Sequence, residues 1–96
     1  MIRLKRQLTA IMFTDIVGYT SLMGKDEGLA MSILHANRSI HKHVIKEMNG
    51  KWLNEMGDGT LASFKTISDA VFCAGKLKIE CQKHNFHLRI GIDLDQ

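Results

Sequence analysis

The chain has 96 residues, 45% of them hydrophobic and 24% charged, which excludes a disordered segment and allows one small domain with a thin core. Its net charge of +3 comes with no basic stripe of interleaved aromatics beyond Arg3, Lys5 and Arg6, so nucleic acid is not an expected partner. No apolar run approaches the ~20 residues of a membrane span, and the N-terminus has no long apolar stretch of the signal-peptide kind.

The predicted elements follow in chain order. Leu8 to Thr14 is mostly apolar without clean alternation, which suits a strand covered on both faces. Gly18 and Gly24 bracket a short helical turn at Tyr19 to Met23. Asp26 to Met48 reads as a long helix, with Leu29, Ile33, Ala36, Ile40, Val44 and Met48 as its inward stripe and Asn49-Gly50 as its stop. Lys51 to Met56 and Thr60 to Phe64 flank Gly57-Asp58-Gly59, a hairpin signature. Thr66 opens a second helix that runs to about His84, with Ala70, Val71, Ala74, Leu77 and Cys81 turned inward. Phe86, Leu88, Ile90 and Ile92 alternate with His87, Arg89, Gly91 and Asp93, the pattern of a half-buried strand.

The order β-α-β-β-α-β predicts an α+β, ferredoxin-like antiparallel sheet with two helices on one face. The other face is then left uncovered, an apolar patch open to self-association. In this topology the first strand lies beside the third. Asp15, which closes Ile11-Met12-Phe13-Thr14-Asp15, is thereby brought to Asp58 in the hairpin turn. Two carboxylates at one sheet end, with the Ile16 carbonyl beside them, can hold Mg²⁺ or Mn²⁺ against a triphosphate. The backbone of Val17, Gly18, Tyr19 and Thr20 offers N–H groups to phosphate oxygens.

Other chemistry-bearing residues read as structural. Cys73 and Cys81 stand eight apart on one predicted helix, roughly 12 Å along its axis, too far for a disulfide. They are expected as buried free thiols, which points to a reducing, cytoplasmic location. His35, His41, His43, His84 and His87 lack zinc spacing and are expected at surfaces or helix ends.

Phe13-Thr14-Asp15-Ile16-Val17-Gly18-Tyr19-Thr20 resembles the first metal-binding motif of class III adenylate/guanylate cyclase catalytic domains. Glu55-Met56-Gly57-Asp58-Gly59-Thr60-Leu61-Ala62-Ser63-Phe64 is similar to the second, and Leu88-Arg89-Ile90-Gly91-Ile92 to the strand that follows. The resemblance implies an enzyme of intracellular signalling that converts ATP or GTP to the 3′,5′-cyclic nucleotide and pyrophosphate. It implies two divalent ions on Asp15, Asp58 and the Ile16 carbonyl, with β- and γ-phosphates on Val17 to Thr20. It also implies a purine nucleoside triphosphate as substrate and a head-to-tail pairing, either a homodimer or with another cyclase domain.

Two departures qualify the expectation. Where many members of the family carry a base-reading lysine, this chain has Asn54, which can contact a base edge but carries no charge. Lys51 is expected to face the opposite way from Asn54. After Ile92 the chain reads Asp93-Leu94-Asp95-Gln96, without the later Asn and Arg that stabilise the family's transition state. The expectation is one cyclase-type domain over residues 1–96, truncated at its C-terminal end and poorly active alone, its catalytic residues unknown. The alternative is a non-catalytic cyclase remnant that serves as a nucleotide-binding or dimerisation module. A third, weaker alternative is another metal-dependent nucleotidyl enzyme on the same palm, such as a diguanylate cyclase or polymerase; the lack of a Gly-Gly-Asp/Glu-type hairpin argues against the diguanylate form.

Overall fold

A computed structural model describes residues 9–95. The basic cluster Arg3, Lys5, Arg6 and the expected strand start at Leu8 lie outside the described residues. Seven elements follow one another: β1 (Thr9–Ile16), α1 (Tyr19–Lys25), α2 (Glu27–Glu47), β2 (Lys51–Met56), β3 (Gly59–Phe64), α3 (Ile67–Lys83) and β4 (Leu88–Asp95). The four strands form one sheet in the order β2-β3-β1-β4, with every neighbouring pair antiparallel. This is the ferredoxin-like α+β arrangement.

Alternation along the strands divides the sheet into two faces. Ala10, Met12, Thr14 and Ile16 of β1 are buried, as are Thr60, Ala62 and Phe64 of β3. They pack with Leu34, Val44 and Ile45 of α2 and Ala70, Cys73, Leu77 and Cys81 of α3 in one apolar core. The two long helices therefore cover one face. The other face carries Ile11, Phe13 and Asp15 of β1 beside Leu61 and Ser63 of β3, and Phe13 is 51% exposed. The apolar patch anticipated on the uncovered face is thus present.

The buried stripe of α2 is rotated from the expected one. Ala30, Leu34, Asn37, His41, Val44 and Ile45 face inward, whereas Leu29 is exposed and Ile33, Ala36 and Ile40 sit at the margins. Hydrophobic periodicity missed it because the centre of the buried face holds two polar residues. His41 is fully buried, contrary to the surface role expected of it. Its Nδ1 lies 2.8 Å from the Asn37 carbonyl oxygen and its Nε2 lies 2.8 Å from Thr14 Oγ1. A carbonyl only accepts, so Nδ1 carries the proton, and in the neutral ring the Thr14 hydroxyl donates to Nε2. A side-chain bond thus joins α2 to β1 one residue before Asp15. In α3 the expected Val71 is exposed, while Cys73 takes a buried place.

Two glycines are set by close approach. A Cβ on Gly50 would clash with the ring of Phe64, which is buried in the core. The left-handed residue that ends α2 is Asn49, with φ 60°, and not Gly50. On the open face, a Cβ on Gly91 would lie 2.5 Å from the ring of Phe13, so Phe13 lies across the bare backbone of β4.

Candidate metal and phosphate site

Asp15 and Asp58 converge because of strand register. Thr14 pairs with Thr60, so the last residues of β1 run alongside the β2–β3 turn. Gly57, at φ 60°, lets that turn close, and it presents the Asp58 carboxylate toward β1. The Ile16 backbone N–H donates to Asp58 Oδ2 over 2.8 Å, tying the turn to the strand end. Ile16 itself is buried and anchors this corner in the core.

Asp15 has a partner that sequence reasoning did not place in the site. In the β1–β4 ladder Asp15 stands opposite Arg89. Arg89 Nε lies 2.8 Å from Asp15 Oδ1 and Nη2 lies 3.2 Å from Oδ2, a two-pronged ion pair. The hydrogen bonds and charge of Asp15, with a smaller contribution from Asp58, raise the Arg89 pKa. The signal was available: Arg89 is an outward residue of an alternating strand, and antiparallel pairing with β1 sets it against Asp15.

A cleft of about 220 Å³ opens beside the carboxylates, lined by Asp15, Ile16, Gly18, Tyr19, Thr20, Ser21, Asp58 and Arg89. Gly18, at φ 74°, turns the chain into α1 without a side-chain cap. The amides of Tyr19, Thr20 and Ser21 open that helix and have no acceptor within it. Val17 departs from the expected phosphate cradle, because its N–H donates to the His87 carbonyl over 2.9 Å and it does not line the cleft. On the open sheet face, a second depression of about 380 Å³ reaches Asp15 and Asp58 past Phe13, Met56 and Leu61.

Asn54 pairs with Leu61 on the open face, and its Oδ1 accepts the N–H of Glu55 over 2.8 Å. A β-bulge between Trp52 and Asn54 changes the orientation expected for Lys51. Lys51 pairs with Ser63 and Asn54 with Leu61, two residues apart on β3, so Lys51 and Asn54 share the open face. Trp52 turns the other way and packs against the core, edge-on to His41.

No described group of three or more His, Cys, Asp and Glu side chains gathers in metal-binding range. Cys73 and Cys81 are free and buried, as expected, and desolvation pushes both thiols up to about 12, with the nearby Glu80 charge adding to the rise at Cys81. Among the described residues no helix is long and apolar enough to cross a membrane.

No family model matches the chain. Among curated proteins, "Putative adenylate cyclase 3" of Rhizobium meliloti (strain 1021) is 30% identical over 100 residues, which take in 95% of this chain and 17% of that protein. Among solved structures, an adenylate/guanylate cyclase/hydrolase from Silicibacter pomeroyi is 28% identical with a TM-score of 0.80, covering 95% of this chain and 58% of that one. A bacterial light-regulated adenylyl cyclase superposes with a TM-score of 0.84 at 19% identity, over 93% of this chain and 54% of the other, a likeness of fold. The chain therefore spans about half the length of these solved chains and under a fifth of the curated relative. Sequence and fold together thus resemble class III adenylate/guanylate cyclase catalytic domains.

Proposed function

We propose that this chain supplies the metal- and triphosphate-binding part of a nucleotide cyclase site, for conversion of ATP or GTP to the 3′,5′-cyclic nucleotide and pyrophosphate. The observation that carries the reading is the tie between Asp58 and the Ile16 amide, which holds one carboxylate at the strand end where Asp15 stands. On this reading Asp15, Asp58 and the Ile16 carbonyl hold two Mg²⁺ or Mn²⁺ ions.

The donor set fits such ions. Carboxylates are hard oxygen donors, and two of them, with no third acidic or imidazole group beside them among the described residues, suit a cation that keeps water and takes further oxygens from substrate phosphates. When bound, the ions neutralise phosphate charge and lower the pKa of the attacking ribose hydroxyl. The amides of Tyr19 and Thr20, free of intrahelical partners, receive phosphate oxygens at the start of α1. Gly18 supplies the positive φ of 74° with which the chain turns into α1, and the space around it is open.

The nucleoside part is assigned to the depression formed by Phe13, Met56 and Leu61, which adjoins both carboxylates. Asn54, on the same face as Leu61, is the residue of β2 nearest the turn that could contact a base edge. The uncovered apolar face supports pairing with a second cyclase-type domain, whether another copy of this chain or a related one. A signalling role in the cytoplasm follows from the same reading.

The test is production of cyclic nucleotide by this chain, alone and mixed with a complementary cyclase half, with Mn²⁺ and ATP or GTP. The reading expects product that Asp58→Ala abolishes. Saturable nucleotide binding with no turnover in either mixture would instead favour the non-catalytic binding or dimerisation module.

A further inference from the structure

We propose that Arg89 is a built-in counter-cation for Asp15, which a divalent metal must displace before both carboxylates can share it. The inference rests on the metal reading above and adds a regulator to it. Both oxygens of Asp15 are engaged by the guanidinium, through Nε at 2.8 Å and Nη2 at 3.2 Å. One oxygen of Asp58 is engaged by the Ile16 amide. Of four carboxylate oxygens in the pair, three already accept a hydrogen bond.

The two engagements differ in kind. The Ile16 amide belongs to a buried, strand-fixed residue and carries no net charge. Arg89 sits on β4, an edge strand, and its side chain is 73% exposed. Its flexible stem can leave Asp15 without disturbing the core, and its positive charge repels an incoming cation. An exposed ion pair of this sort adds little to folding. Its consequence is for the site: with Arg89 in place the two carboxylates present a net charge of about one unit instead of two.

Metal affinity is therefore held down by Arg89 and rises when Arg89 is removed. Titration calorimetry of the full chain with MnCl₂, without nucleotide, reads this directly. Arg89→Met keeps the stem and removes the charge, and it is expected to bind Mn²⁺ about five- to tenfold more tightly than the wild type. Arg89→Lys keeps the charge but loses the two-pronged geometry, with an expected gain of about two- to threefold. The gain is expected to vanish in Asp15→Asn/Arg89→Met compared with Asp15→Asn alone, since it acts through Asp15. Circular dichroism checks that each variant is folded. If Arg89→Met does not fold, the Arg89→Lys comparison decides.

Mn²⁺ binding that depends on Asp58 but is unchanged or weaker without Arg89 overturns the displacement proposal and leaves the metal reading standing. No Asp58-dependent Mn²⁺ binding in any variant overturns both.

Discussion

Asp58 reaches across from the β2–β3 turn to take the backbone N–H of Ile16 over 2.8 Å, so the second acidic motif is bonded to the residue that follows the first. The bond separates two properties of Asp58, hydrogen-bond acceptance and charge. Asp58→Asn keeps an acceptor oxygen and is expected to melt close to wild type. Asp58→Ala leaves the Ile16 amide without its partner and is expected to lose about 1–2 kcal/mol. Both variants are expected to lose divalent-metal binding. Urea unfolding together with Mn²⁺ titration of the two proteins checks the split.

His41 gives stability a pH dependence. Burial lowers its pKa below the ordinary 6.5, opposed in part by the bond to the Asn37 carbonyl. Between the folded pKa and 6.5 the unfolded chain binds the proton and the folded chain does not, so stability rises with pH across that window. The contribution is complete above about pH 6.5 and declines as pH falls toward the folded value. Unfolding by urea at several pH values is expected to show this fall in the wild type. His41→Gln, if folded, is expected to flatten it.

The glycines divide by their surroundings. Gly50→Ala forces a methyl against the Phe64 ring and the Ile45 side chain, both buried, with an expected cost of about 1–3 kcal/mol. Gly75 lies within α3 with open space around its Cβ position, and Gly75→Ala is expected to stabilise by roughly 0.5–1 kcal/mol. Thermal melts of the two single variants are expected to move in opposite directions.

Cys73 and Cys81 are expected to be inert while the chain is folded. Both are fully buried, with thiols pushed up to about 12, so almost no thiolate exists near neutral pH. A thiol reagent at pH 8 is expected to report neither cysteine in buffer and both in denaturant.

Much of the fold was legible in the sequence because its punctuation is local. Gly57-Asp58-Gly59 marks the hairpin, Thr66 caps α3 by accepting the Asp69 amide, and the alternation from Phe86 to Ile92 marks β4. The convergence of Asp15 and Asp58 followed from topology. What stayed hidden depended on register and on buried polar contacts. His41 and Asn37 lie at the middle of the inner face of α2, where an apolar-only pattern points one residue astray. The bulge in β2 carries Lys51 onto the face of Asn54, and no simple alternation foretells it. Arg89 joins the site only once β4 is set against β1 residue by residue. The Val17 amide, expected at phosphate, donates instead to the carbonyl of His87, the residue before β4.

The account turns on Asp15 and Asp58 sharing a divalent ion with a triphosphate. Manganese EPR of the chain with ATP or GTP, compared with Asp15→Asn and Asp58→Asn, measures this most directly. Saturable uptake of Mn²⁺-nucleotide by the wild type, weakened at least about tenfold by either substitution, is the expected result. Equal uptake by all three proteins would contradict it.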